Sequence, residues 1–299
     1  MRRCSYLLRR VLTVITLIGT LGVSGLGQDC AVSAILRAVD KRSHPVVDIS
    51  AADLKAAING NPATIQSLSP GGMPQVILML DASSSMKDTW SQTIAAARQL
   101  VASTGQDIDT VVFAATILDS AVGRPKSEKL LDRLSTQPPT ERGTALYDAL
   151  ITVASRLKTR NTAIVVISDG GDNASRYSSD ATVSLFLNSS WPPVFGLILD
   201  YYQAEKRRGY FKKIPAATGG LLVYPSSPSE VPGGMEALAA TISSPFILSL
   251  QPSQPISKVS KLKLQFIGSE GKPRKNIELL HASEVAGCDI APSTPAKQQ

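Results

Sequence analysis

Short, wholly apolar runs separated by amphipathic segments limit the folds that are open to this chain. Residues 76–80 and 163–167 contain no polar side chain. A strand of this kind has both faces covered, as the strands of a parallel sheet do. Between the two runs, apolar residues recur at helical spacing over 90–101 and again over 146–157. We therefore predict an α/β fold with a doubly wound, mostly parallel sheet, helices on both faces and short β segments flanking it.

Changes of pattern divide the chain into five parts. Short extended runs lie in residues 28–74, a β-rich extension that ends in a linker, and in residues 246–290. The run at 262–266 alternates in polarity. Such alternation is typical of strands with one buried and one solvent-facing side. Residues 75–245 carry the predicted parallel sheet. The remaining parts are a signal peptide at 1–27 and a disordered tail at 291–299.

The first 27 residues have the order of a secretory signal. Four arginines within the first ten residues precede a mostly apolar stretch at 11–23 and the small-residue run 24–27. The apolar stretch is shorter than the roughly 20 residues that a membrane-spanning helix needs. We expect cleavage after Gly27, export to the periplasm or the medium, and no stable transmembrane anchor afterwards. An uncleaved anchor is the alternative, whereas lipidation of Cys30 is disfavoured because Asp29 precedes it.

The net charge and the cysteine content are counted for the part of the chain that would remain after cleavage of the predicted signal peptide. The formal charge of the whole chain is +7, but without the four signal arginines 27 basic residues face 24 acidic ones, a balance of +3. Such a chain is not an obvious nucleic-acid binder, and we expect none as a partner. Cys4 leaves with the signal, so Cys30 and Cys288 remain at the two ends. An oxidising compartment favours a disulfide between them, although two free thiols stay possible.

Oxygen-bearing side chains follow both apolar runs. Asp81, Ser83 and Ser85 come directly after the first run, and Asp169 follows the second. Thr144 precedes a predicted helix between them. Ligands of an open α/β sheet bind beyond the carboxyl ends of its strands, where these side chains would converge. All are hard oxygen donors, which favours Mg²⁺, or Mn²⁺, over zinc or copper. An Asx or serine turn that only caps the next helix is the structural alternative.

These motifs resemble the von Willebrand factor type A (VWA) domain and its metal-ion-dependent adhesion site (MIDAS). The resemblance covers about residues 75–245 and rests on Asp81-x-Ser83-x-Ser85, then on Gly143-Thr144, then on Asp169-Gly170. Residues 46–54 and the turn at 59–62 are similar to the opening of acidobacterial VWFA-related proteins, whereas the aromatic residue that usually ends the strand at 246–250 is missing. The resemblance implies that Ser83 and Ser85 bind the cation directly, and that Thr144, Asp81 and Asp169 bind it directly or through water.

The family resemblance implies a binding module and not an enzyme. A cation held mainly by neutral hydroxyl groups keeps positive charge and an exchangeable position, which an Asp or Glu carboxylate of a protein partner can complete. The alternative is a metal-dependent hydrolase of the cell envelope. Against it, a phosphatase of the type with Asp at a strand end needs a second Asp where Ser83 stands. Both histidines, His44 and His281, lie far in sequence from the metal-binding motifs.

Overall fold

A computed structural model describes residues 31–104, 108–157, 161–201, 211–254, 256, 259–268, 271 and 273–286. The predicted signal peptide and tail lie outside these ranges. The fold of the described residues is mixed α/β. Its strands are β1 (Val32–Asp40), β2 (Leu54–Ile58), β3 (Asn61–Pro70), β4 (Gln75–Asp81), β5 (Ile108–Phe113), β6 (Ile117–Ala121), β7 (Thr162–Ser168), β8 (Val194–Ile198), β9 (Leu222–Val223), β10 (Phe246–Pro252), β11 (Val259–Phe266), β12 (Ile277–His281) and β13 (Glu284–Ala286).

The helices lie between the strands of the central part of the chain. They are α1 (Trp90–Ser103), α2 (Arg124–Ser135), α3 (Leu146–Ala154), α4 (Ser179–Asn188), α5 (Lys213–Thr218) and α6 (Val231–Ile242). The predicted helical stripe at 90–101 forms α1 and is buried. The sequence analysis missed α2, because Leu130 and Leu131 are its main buried side chains and the rest is largely polar. Within the described residues, every helix is too short or too polar to span a bilayer.

One of the two sheets has six strands in the order β6-β5-β4-β7-β8-β9. Its strands pair in parallel, except that β6 runs antiparallel to β5. Alternate side chains of β4 serve two separate cores: Val76 and Leu78 pack with residues of α1, α2 and α6, whereas Ile77 and Met79 pack with residues of α3, α4 and α5. Helices therefore cover both faces of this sheet, which explains the apolar runs.

The other sheet has seven strands in the order β12-β1-β10-β3-β2-β11-β13 and is antiparallel throughout. In β11, residues alternate between exposed and buried, as the sequence pattern indicates. The prediction of a mostly parallel sheet is therefore correct only for the six-stranded sheet. The segments predicted as short flanking pieces form the larger sheet, because β10 inserts between β1 and β3 and the paired strands bury a shared core that includes Leu36, Leu248 and Leu250.

The antiparallel sheet contacts the six-stranded sheet near the amino ends of the parallel strands. The guanidinium of Arg37, which is buried, lies 5.1 Å from the ring centroid of Phe195 near the start of β8. The backbone N–H of Ser283, between β12 and β13, donates to the carbonyl of Ala217 at 2.9 Å. The carboxyl ends of the parallel strands therefore lie at the opposite edge of their sheet, where the predicted ligand residues stand.

Candidate metal centre

Two carboxylates stand at the ends of neighbouring strands. Asp81 is the last residue of β4, and Asp169 follows Ser168, the last residue of β7. The strands are parallel and paired, with Leu80 opposite Ile167, so the two acids meet at one edge of the sheet. Asp81 is 0% exposed and Asp169 is 5% exposed. The fold thus places two acidic side chains side by side where water has little access.

The carboxylate of Asp81 is fixed by two donors. The backbone N–H of Ser83 donates to Oδ1 at 2.9 Å, and the hydroxyl of Ser168 donates to Oδ2 at 2.7 Å. Ser168 also accepts a bond from the N–H of Gly170 at 2.9 Å, which orients its hydroxyl proton toward Asp81. Sequence reasoning did not assign Ser168 a role. The sequence does carry a signal for Ser168, because it is a polar residue at the end of an otherwise apolar strand.

Burial raises the pKa of Asp81 to about 6, and the neighbouring charge of Asp169 adds to this rise. The hydrogen bonds from Ser168 and Ser83 act in the opposite direction, since they stabilise the ionised form. A buried carboxylate beside a second acid is costly to ionise unless positive charge is nearby. A bound cation would supply that charge, so the electrostatics of this pair fit a metal site.

The serine turn after β4 supplies hydroxyl groups. Ser83 is buried and Ser85 is exposed, yet their hydroxyl oxygens lie 3.0 Å apart and share a hydrogen bond. The short 3-10 segment Ser84–Thr89 follows and leads into α1. The turn therefore keeps the two hydroxyls together immediately after the Asp81 carboxylate.

Thr144 is held on a separate loop by contacts on both of its sides. Its N–H donates to the side-chain oxygen of Asn173 at 2.8 Å, and its carbonyl accepts from the N–H groups of Asn173 and Ala174 at 3.0 Å. The backbone N–H of the next residue, Ala145, donates at 2.8 Å to the carbonyl of Ala114, which follows β5. Thr144 is buried, at 4% exposure, between the loops that follow β5 and β7. Asn173 was not singled out from the sequence. Its contacts join the loop of Thr144 to the loop of Asp169.

Two further aspartates near the site have other partners. Asp172 accepts from the N–H of Tyr147 at 3.1 Å, at the start of α3, and from the hydroxyl of Ser175 at 2.5 Å. Asp148 binds the backbone N–H and the guanidinium of Arg176, at 3.1 and 3.0 Å. Both carboxylates therefore stabilise the loop after β7.

The donor set is compatible with a hard divalent cation. It offers two carboxylates and three hydroxyls, from Asp81, Ser83, Ser85, Thr144 and Asp169, and all five donors are oxygen atoms. Among the residues that the structure describes, no three His, Cys, Asp or Glu side chains are grouped so that they could hold a metal ion. Oxygen ligands without imidazole or thiolate suit Mg²⁺ or Mn²⁺. The assignment of individual ligands remains a prediction.

Part of the chain is similar to known proteins. Residues 60–190 match the family model described as "VWA domain containing CoxE-like protein". None of the curated proteins matches the chain. One similar solved structure is that of an aerotolerance-related membrane protein from Bacteroides fragilis, with 19% sequence identity and a TM-score of 0.44. The match covers 56% of this chain and 98% of that protein. Another is that of the ArnB paralog VWA2 from Sulfolobus acidocaldarius, with 14% sequence identity and a TM-score of 0.39. The match covers 84% of this chain and 76% of that protein.

Residues 60–190 of the chain carry a VWA domain. VWA domains mediate protein–protein interactions, and they often bind a divalent metal at a MIDAS. The typical VWA protein is an adhesion or interaction module and not an enzyme.

Proposed function

We propose that the protein is an exported, non-enzymatic binding module that holds a divalent cation, Mg²⁺ or Mn²⁺, at Asp81, Ser83, Ser85, Thr144 and Asp169. The cation recognises a protein partner through an Asp or Glu side chain. The observation that carries this proposal is the donor set, in which only two of five donors are acidic. When bound, the cation retains positive charge and offers a coordination position to a further carboxylate.

Neither histidine of the chain lies at the proposed metal site. Both histidines belong to the antiparallel sheet region: His44 lies in the turn after β1, and His281 ends β12. This region contacts the six-stranded sheet near the amino ends of its parallel strands, whereas the metal loops lie at their carboxyl ends. A general base would have to lie within hydrogen-bond reach of the reacting group. No specific observation favours the hydrolase alternative.

The proposal can be tested with a minimal carboxylate. Backbone amide spectra of the protein are recorded with Mg²⁺ while N-acetyl-aspartate amide or its isostere N-acetyl-asparagine amide is added. We expect shifts at the loops of Ser83, Thr144 and Gly170 with the aspartate compound only, and none after EDTA. Equal shifts with both compounds, or shifts that survive EDTA, would show that the metal does not bind a carboxylate.

Thr144→Ala is expected to weaken the Mg²⁺ affinity by about tenfold or more, since removal of a ligand or of a residue that orients one costs roughly 10–100-fold. Isothermal titration measures the affinity directly. Thr140→Ala is a matched control, because Thr140 is exposed on the same loop. If the two variants bind Mg²⁺ equally well, Thr144 takes no part in the site.

A disulfide between Cys30 and Cys288 is part of the proposal. Both cysteines lie outside the described residues, Cys30 two positions before β1 and Cys288 two positions after β13. The strands β1 and β13 contact each other. Because these two strands contact each other, a bond between the two cysteines would join neighbouring strands and close nearly the whole exported chain into one loop.

Reduction of this bond is expected to lower the free energy of unfolding by about 2–4 kcal/mol. Urea unfolding with and without reductant measures the change. The double variant Cys30→Ser/Cys288→Ser serves as the control, because its stability should not respond to reductant. Peptide mapping under non-reducing conditions gives the direct answer, and two free thiols there would refute the bond.

A further inference from the structure

A groove with a volume of about 560 Å³ lies beside the candidate metal centre. Trp90 at the start of α1, Leu118 of β6 and Pro138 after α2 contribute apolar walls. Binding pockets of small molecules typically have about 300–1,000 Å³. The groove is therefore large enough for one or two side chains of a bound segment.

The groove and the metal loops share a wall. Ala82, which lies between the proposed ligands Asp81 and Ser83, lines the groove. Glu141 lines it as well, and its carbonyl accepts from the N–H of Ser84 at 2.7 Å. Ser83 also forms a β-bridge with Glu141. Because these contacts join the two features, a segment bound at the metal lies next to the groove.

The chemistry of the groove differs from that of the metal centre. The apolar lining of the groove includes Leu118, which is 44% exposed and can therefore contact a bound group. Glu141, whose carboxylate disfavours a second acidic group, lines the groove together with Asp119 and Arg133, which form an ion pair with each other. This pair neutralises its own charge, so it offers little attraction to an ionised ligand group. An uncharged apolar group suits the groove, whereas the carboxylate suits the cation.

We propose that the partner segment carries a large apolar side chain close to its acidic residue and that this side chain occupies the groove. This inference rests on the proposed function and specifies the partner. The metal selects the carboxylate, and the groove adds affinity and distinguishes one acidic segment from another. Burial of one such side chain is expected to strengthen binding roughly tenfold or more.

A library of random peptides displayed on phage and selected on the full protein with Mg²⁺ tests the inference. We expect the enriched peptides to combine an Asp or Glu with a nearby aromatic or large aliphatic residue. Replacing that apolar residue by alanine in a synthetic copy should weaken binding about tenfold. Leu118→Gln in the protein should weaken it severalfold, without altering the Mg²⁺ affinity. The matched control is Val122→Gln, because Val122 is 69% exposed and does not line the groove.

The outcomes separate the two proposals. Peptides that need Mg²⁺ and their carboxylate, but bind Leu118→Gln as tightly as the wild type, overturn the groove and leave the metal function intact. Peptides that bind through their apolar residue and ignore EDTA overturn the metal function and, with it, this inference. Enrichment of peptides with neither feature counts against both.

Discussion

Replacing Asp81 by alanine is expected to abolish the stabilisation that Mg²⁺ gives to the protein. A ligand that binds only the folded state stabilises it by about 2.7 kcal/mol at a concentration of 100 times its Kd. Asp81 is fully buried, is fixed by Ser168 and Ser83, and lies beside Asp169, so its carboxylate supplies half of the negative charge of the proposed site. Without it, Mg²⁺ should leave the melting temperature unchanged.

The stability without metal is expected to change less than the metal response. Removal of Asp81 relieves a buried charge, whose cost the raised pKa reflects, but it leaves the hydroxyl of Ser168 without this acceptor. These effects oppose each other. The backbone pairing of β4 with β5 and β7 does not use the side chain, so the far-UV circular dichroism should stay that of the wild type.

Two further variants make the measurement specific. Asp81→Asn keeps the shape and removes the charge, and it should lose the Mg²⁺ response as fully as the alanine variant does. Asp88→Ala removes an exposed carboxylate from the 3-10 segment after the serine turn and should keep the response. If Mg²⁺ raises the melting temperature of Asp81→Ala as much as that of the wild type, the metal site lies elsewhere.

Gly220→Ala is expected to destabilise the protein by about 3 kcal/mol or more, because overpacking against backbone cannot be relieved by a side-chain rotation. A Cβ at this position would lie 1.8 Å from the carbonyl oxygen of Val194, at the start of β8. Two hydrogen bonds fix the chain around Gly220. Its own N–H donates to the carbonyl of Pro215 at 2.9 Å, and the N–H of Val194 donates to Thr218 Oγ1 at 3.1 Å. The alanine variant must therefore shift α5 away from the sheet.

Gly233→Ala is the control for this effect. A Cβ at Gly233, in α6, would meet no atom within 4 Å. This substitution should stabilise the protein by up to about 1 kcal/mol, since alanine loses less backbone entropy than glycine in a helix. Thermal and urea unfolding of both variants measure the difference. Similar stabilities of the two variants would show that α5 does not pack on β8 as described.

The local features of the parallel sheet could be predicted from the sequence alone. Residues 76–80 and 163–167 are apolar throughout because both faces of β4 and β7 are buried, so the pattern itself indicates their environment. Four of the five residues proposed as metal ligands follow these runs, all except Thr144. Asp81 and Asp169 lie at the same edge of the sheet. The predictions of export and of a disulfide rest on the sequence alone, since the relevant residues lie outside the described ranges.

The tertiary structure decided how distant segments pair. Strands β1 and β3 flank β10, about 200 residues further along the chain, and together they form the antiparallel sheet that the sequence analysis treated as separate short pieces. Alternating polarity shows that one face of a strand is buried, but it does not select the partner strand. For the same reason the bond from Ser168 to Asp81 and the groove beside the metal loops emerged only from the folded chain. Both depend on side chains that strand order and register bring together.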